Sequence, residues 1–94
     1  MRVTDEKVKE SLLVRLRRIE GQVRGIQRMV DEERDCHEIL QQVSAVRAAM
    51  YNASVELVRS YANQCLNDPE AQIPHEEVIE NLIAALGRVS RTVD

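Results

Sequence analysis

Two cysteines, Cys36 in "DCHEIL" and Cys65 in "SYANQCL", are the residues of this chain best suited to chemistry. A thiolate is both a nucleophile and a soft metal ligand, so the pair points to redox chemistry or metal binding. Whether they can meet depends on the helix that carries them. No proline or glycine interrupts residues 35–66, and on one straight helix a separation of 29 residues amounts to roughly 43 Å. A site shared within one chain is therefore excluded. In an antiparallel homodimer of that helix, Cys36 approaches Cys65 of the partner subunit, and two-fold symmetry creates the site twice. An isolated free cysteine is more often a small buried hydrophobe. Cys36, however, falls in a first helical turn, where unpaired N–H groups and the helix dipole favour a thiolate, while Asp35 and Glu38 oppose one.

The two histidines add little to this pair. His37 is adjacent to Cys36, and neighbours on a helix point about 100° apart, which makes joint ligation awkward. His75 reads as a surface residue at the start of a later helix. Cys-x-x-Cys, HExxH, P-loop and GxGxxG patterns are absent, and "GQVRG" lies mid-pattern in a helix without the strand a phosphate loop needs. A thiol enzyme would need an acid or base beside Cys36, and His37 points elsewhere. The expectation is a protein that is not an enzyme and has no resident cofactor.

Charge is divided unevenly. The net charge is −3, yet residues 1–30 hold eight Lys/Arg against four Asp/Glu, and residues 31–94 hold five against twelve. The segment "LVRLRRIEGQVRGIQRM" sets five arginines against a single acid, Glu20. Any one arginine reads most simply as part of a solvated helix face. Five together, with no lysine, favour an anion-binding surface, because guanidinium forks match phosphate oxygens. Overall acidity does not exclude nucleic acid, since binding follows the local patch.

The elements that must position these residues are all helical. The chain reads as one all-α domain, residues 1–94, with helices over about 6–31, 35–66 and 74–87. In the first, Leu12, Leu16, Ile19, Val23, Ile26 and Val30 alternate at spacings of four and three, a heptad-like seam. Gly21 and Gly25 interrupt it and leave room for another backbone. Asp35 should cap the second helix, with Glu38 completing a variant of the capping box. Ile39, Val43, Val46, Met50, Ala53 and Leu57 continue the pattern. Pro74 suits a first-turn position for the third helix, Gly87 should weaken its end, and Val78, Ile79, Leu82, Ile83 and Leu86 form its stripe. A second helix of roughly 48 Å is too long for the rest of one chain to cover. With no Trp or Phe and only Tyr51 and Tyr61 as aromatics, 94 residues build a thin core, and oligomerisation is the usual remedy. No apolar run approaches a membrane span and "MRVTDEKVKE" is no signal peptide, so a reducing, cytoplasmic setting is expected, where structural disulfides are disfavoured.

"RLRRIEGQVRGIQRMV", the cysteine of "DCHEIL", "QQVSAVRAAM" and the Cys65 position resemble a family of small bacterial repressors over about residues 10 to 86. That family includes the copper-sensing operon repressor (CsoR), the nickel/cobalt repressor and the formaldehyde repressor. The resemblance implies a three-helix subunit, an antiparallel dimer, a dimer-of-dimers tetramer, and operator DNA binding without a helix-turn-helix. It also implies release of that DNA when an effector binds at inter-subunit cysteines. It places basic residues of the first helix against DNA, which selects Arg15, Arg17 and Arg18, with Arg24 and Arg47 as additions.

Departures from the family pattern bear on the effector. The copper sensors use a Cys-His-Cys set with the histidine four residues before the second cysteine, and that position is Tyr61 here. A phenol is a poor donor to Cu(I), which prefers thiolate and imidazole. The nickel/cobalt and formaldehyde members also depend on that histidine, and the former on an N-terminal one; no histidine precedes His37. Two cysteines without the histidine resemble the persulfide-sensing branch, the CsoR-like sulfurtransferase repressors (CstR), whose thiols form sulfur-bridged links between subunits. The resemblance thus implies persulfide or polysulfide as effector at Cys36 and Cys65, with Cu(I) held by the same two thiolates as the alternative.

Overall fold

The computed structural model describes residues 2–67 and 74–93. They form three helices and, among the described residues, no strand: α1 (Glu6–Asp31), α2 (Cys36–Asn67) and α3 (His75–Val93). The all-α reading of the sequence is the observed architecture.

Each boundary has a local cause. Asp5 stands in extended conformation before α1, and its carboxylate accepts from the backbone N–H of Lys7 at 2.9 Å and of Val8 at 3.3 Å. Two donors that the first turn leaves unpaired are thereby satisfied. The far end closes in a Schellman motif. Arg34 N–H donates to the Met29 carbonyl at 2.9 Å, Glu33 N–H to that of Val30 at 3.1 Å, and Glu33 takes φ 57°. That left-handed position favours glycine, because a Cβ there crowds the following carbonyl at a cost of about 1–2 kcal/mol. Glu33→Gly should therefore raise the thermal midpoint, with a gain of about 1 kcal/mol once the greater freedom of the unfolded glycine is deducted. A lower midpoint would show that the Glu33 side chain contributes more than its backbone costs.

At the head of α2, Asp35 Oδ2 accepts from His37 N–H at 3.1 Å, as a cap does. Glu38 departs from the expected capping box. Its carboxylate is taken by the Arg34 guanidinium, through Nη2 at 2.8 Å and Nε at 3.2 Å, since the tight turn places Arg34 four residues before it. α3 differs too, running on to Val93 past the expected end near Gly87. One interior glycine costs a helix only about 1 kcal/mol. Gly21 and Gly25 admit no close backbone within the subunit, for a Cβ at either would meet nothing within 4 Å.

α1 and α3 both pack on α2 and, among the described residues, not on each other. The shortest dimension of the subunit is 12 Å against a length of 54 Å, so the helices lie in a thin layer. Such a layer buries little. Leu12, Ile19, Ala53, Cys65 and Val78 are the buried hydrophobic residues among those described. The seam positions Leu16, Val23, Val43, Met50 and Leu57 stay exposed, Val30 is 58 % exposed and Ile83 64 %. The heptad spacing is correct for a packed seam, but one subunit supplies only part of the covering surface. No described helix is long and apolar enough to cross a membrane.

Candidate functional site: two thiols and a basic face

Both cysteines are free and lie on the unbroken α2, which places them roughly 43 Å apart along the helix axis. Cys36, in the first turn, is exposed; Cys65, in the last, is only 7 % exposed. Tyr61 is one turn before Cys65 on the same face, and its hydroxyl accepts a 3.0 Å hydrogen bond from Asn81 Nδ2 of α3. α3 runs antiparallel to α2, so Val78, one turn before Asn81 and fully buried, comes abreast of Cys65.

A cavity of about 450 Å³ opens beside Tyr61, lined by Val3, Leu57, Val58, Asn81 and Arg88 among others. The N-terminal segment reaches this region and is fastened there, with Gln64 Nε2 donating to Thr4 Oγ1 at 3.2 Å. It brings Val3 and Thr4, neither of which offers an imidazole or a thiolate. His37 is exposed at the opposite end of α2 from Tyr61. His75 opens α3, and its side chain lies outside the described residues, as does that of Leu86. Among the described residues of one chain, no three His, Cys, Asp or Glu side chains converge as a metal site. One turn before Cys65 stands a phenol, Tyr61, already engaged with Asn81.

The arginines of α1 do not form one patch. At about 100° per residue, Arg15 falls beside the face that buries Leu12 and Ile19, with Arg18 further along that flank. Arg17 and Arg24 fall together on the other flank, where Arg24 pairs with Glu20 at 3.6 Å. Arg17 and Arg18 are exposed and have no ion-pair partner among the described residues. Arg15 reaches α2, its Nε lying 2.6 Å from Glu56 Oε2. Arg47 of α2 lines a shallow groove of about 320 Å³ with Ser44, Ala48, Tyr51 and Asn52. Asn52 also lines the neighbouring notch with Arg15, Glu56 and Arg59. Arg47 precedes Glu56 by nine residues, half a turn around α2, so it lies on the other side of that helix from the Arg15–Glu56 pair, whereas Arg59 shares the notch with them. Sequence reasoning missed Arg59 and Glu56. The available signal was the three- and four-residue spacing of Asn52, Glu56 and Arg59 on a single α2 face.

Residues 8–88 match the family described as metal-sensitive transcriptional repressor. The copper-sensing transcriptional repressor CsoR of Bacillus subtilis is 41% identical over 86 residues, which cover 92% of this chain and 85% of that protein. The copper-sensing transcriptional repressor RicR of Mycobacterium tuberculosis is 39% identical over 64 residues, 68% of this chain and 67% of that one. Among solved structures, the nickel-responsive transcriptional regulator InrS superposes with a TM-score of 0.72 at 38% identity, over 85% of this chain and 90% of that one. A variant of the formaldehyde-responsive regulator FrmR from Salmonella enterica serovar Typhimurium gives 0.74 at 29% identity, over 98% and 100%. With the family matched over nearly its whole length and the same fold present in two solved regulators, the chain belongs to the metal-sensitive transcriptional repressors and is a regulator of transcription, not an enzyme.

Proposed function

We propose that this repressor senses persulfide or polysulfide through Cys36 of one subunit and Cys65 of the partner subunit, and releases operator DNA when the two become linked. One observation carries the reading. Both thiols are kept at opposite ends of an unbroken helix, while the residue one turn before Cys65 is Tyr61, whose hydroxyl is tied to Asn81. A Cu(I) site wants a third soft donor there, and a phenol is a poor one. Sulfur chemistry needs only the two thiols. An antiparallel dimer along α2 supplies the pairing, and its motive is the apolar seam that one thin subunit leaves exposed. A dimer of dimers, acting in the cytoplasm, completes the proposal.

A second reading has its own support. CsoR and RicR, the relatives at 41% and 39% identity, are named copper-sensing, and two thiolates in trans could hold Cu(I) linearly. One experiment separates the readings. The purified protein, bound to duplex DNA selected by it from a random-sequence library, is exposed separately to Cu(I), polysulfide and peroxide. DNA release is then followed together with intact mass. Release by polysulfide with added sulfur mass supports the first reading. Release by Cu(I) alone, with no covalent change, supports the second.

For the DNA contact we propose Arg15, Arg17 and Arg18, with Arg24 and Arg47. An arginine on a phosphate releases counterions, so each lost contact lowers the slope of log affinity against log salt by about one unit. The Arg15→Ala/Arg18→Ala double variant should bind more weakly with a slope reduced by about two. An unchanged slope removes both residues from the interface.

A further inference from the structure

The groove between α1 and α2 holds a polar notch that thiol sensing leaves unused. It has a volume of about 460 Å³ and is lined by Arg15 of α1 and by Asn52, Val55, Glu56 and Arg59 of α2. Its charges are layered. Glu56 Oε2 is shut off from solvent, and its neighbour is Arg15 Nε at 2.6 Å, an ion pair off the line of a straight hydrogen bond. The Arg15 side chain is 47% exposed and that of Glu56 22%. The acid therefore lies beneath and the guanidinium above it. Because the pair is made through Nε, both η-amino groups of Arg15 remain to donate to another acceptor. Arg59 is exposed on the same notch and has no ion-pair partner among the described residues. Two guanidinium groups against one carboxylate leave a positive notch, to which Asn52 adds an amide.

We propose that this notch is a phosphodiester-binding site for duplex DNA, in which Arg15 and Arg59 together hold one backbone phosphate and Glu56 is a positioning residue that fixes Arg15 from below. The inference rests on the DNA-binding role proposed above and adds to it Arg59, Glu56 and a location. A recess between two helices receives a protruding group, and on a duplex the protruding groups are phosphates, whereas base edges lie inside the grooves. Paired guanidinium forks suit a tetrahedral oxyanion. An arginine already held at Nε loses less freedom on binding than a free one, so the ion pair prepares the contact.

The role of Glu56 makes a prediction opposite in sign to that of simple charge. Removing an acid beside bound DNA should tighten binding by electrostatics alone. If Glu56 positions Arg15, Glu56→Ala weakens it instead. The test measures affinity and salt slope for a duplex that the wild-type protein selects from a random-sequence library. Helicity and thermal midpoint are recorded for each variant. Arg59→Ala should lose about tenfold in affinity and part of one unit of slope, because Arg15 stays on the same phosphate. Glu56→Ala should also lose affinity, and that loss should vanish in an Arg15→Ala background, a coupling that general destabilisation would not produce. Glu56→Gln keeps an acceptor beneath Arg15 and should fall between Glu56→Ala and wild type; it carries the test if Glu56→Ala does not fold. Unchanged affinity and slope in Arg59→Ala, or equal or tighter binding by both Glu56 variants, would overturn the notch while leaving the repressor reading intact. Failure of the wild-type protein to select any duplex would remove both.

Discussion

Treated with polysulfide and run without reductant, the protein should migrate as a covalent dimer whose mass exceeds that of two chains by the sulfur atoms inserted in one or two bridges. The bridge should join Cys36 to Cys65 of the partner subunit, because roughly 43 Å of unbroken α2 forbids the link within a chain. The order of events follows from access. Cys36 is exposed and should react first, whereas Cys65 is buried. The Cys36 thiolate attacks a sulfane sulfur of the polysulfide, forming one S–S bond, breaking another and expelling a thiolate. The Cys65 thiolate of the partner subunit then attacks that sulfane sulfur and expels a second thiolate. Both thiols are oxidised, and the polysulfide takes up the two electrons as the two thiolates released. A direct disulfide would require Cα atoms within about 7 Å, and an inserted sulfur relaxes that demand. Cys65→Ser should leave a persulfidated, uncrosslinked Cys36 with DNA release impaired, and Cys36→Ser should block both steps. Release of DNA by polysulfide from the double Cys→Ser protein would refute the mechanism. Normal crosslinking by both single variants would instead show pairing of like cysteines and rule out the antiparallel arrangement.

The second large effect concerns copper. Tyr61→His should raise Cu(I) affinity by more than about 100-fold, since it adds a donor to the metal itself and even outer partners of a metal site shift affinity by about 10–100-fold. The new imidazole would lie one helical turn from Cys65, within reach of the same ligand. Asn81 already donates to this position and is exposed, so the exchange strands no buried polar group. Tyr61→Phe serves as control, removing the hydroxyl contact and supplying no donor, and should leave Cu(I) affinity at the parent value. Competition against a Cu(I) chelator reads the outcome. Equal competition by the Tyr61→His variant and the parent would show that residue 61 does not face the thiols.

Much of this was legible from spacing alone. Helix period, Asp35 and the absence of proline or glycine up to Pro69 determine an α2 that carries Cys36 and Cys65 beyond each other's reach. The same regular spacing of apolar residues, on helices too few to cover them, marks the seam that the structure leaves exposed. These are local properties, since 1.5 Å per residue and 3.6 residues per turn apply whatever the helix packs against. Residue type also sufficed to single out Tyr61, because a phenol differs from an imidazole as a metal donor in any fold.

What the sequence could not decide is which side chains meet across helices. The capping box written by Asp35 and Glu38 gave way to an Arg34 pair, since a left-handed turn at Glu33 returns the chain within one residue of the new helix. Only the packing of α1 on α2 brings Arg15 to Glu56, and with it to Arg59, 44 residues further along the chain. The Tyr61–Asn81 bond, and the burial of Cys65 but not Cys36, likewise depend on the antiparallel register of α3 against α2. Register is set by the sum of many weak apolar contacts along both helices, and no single spacing encodes that sum.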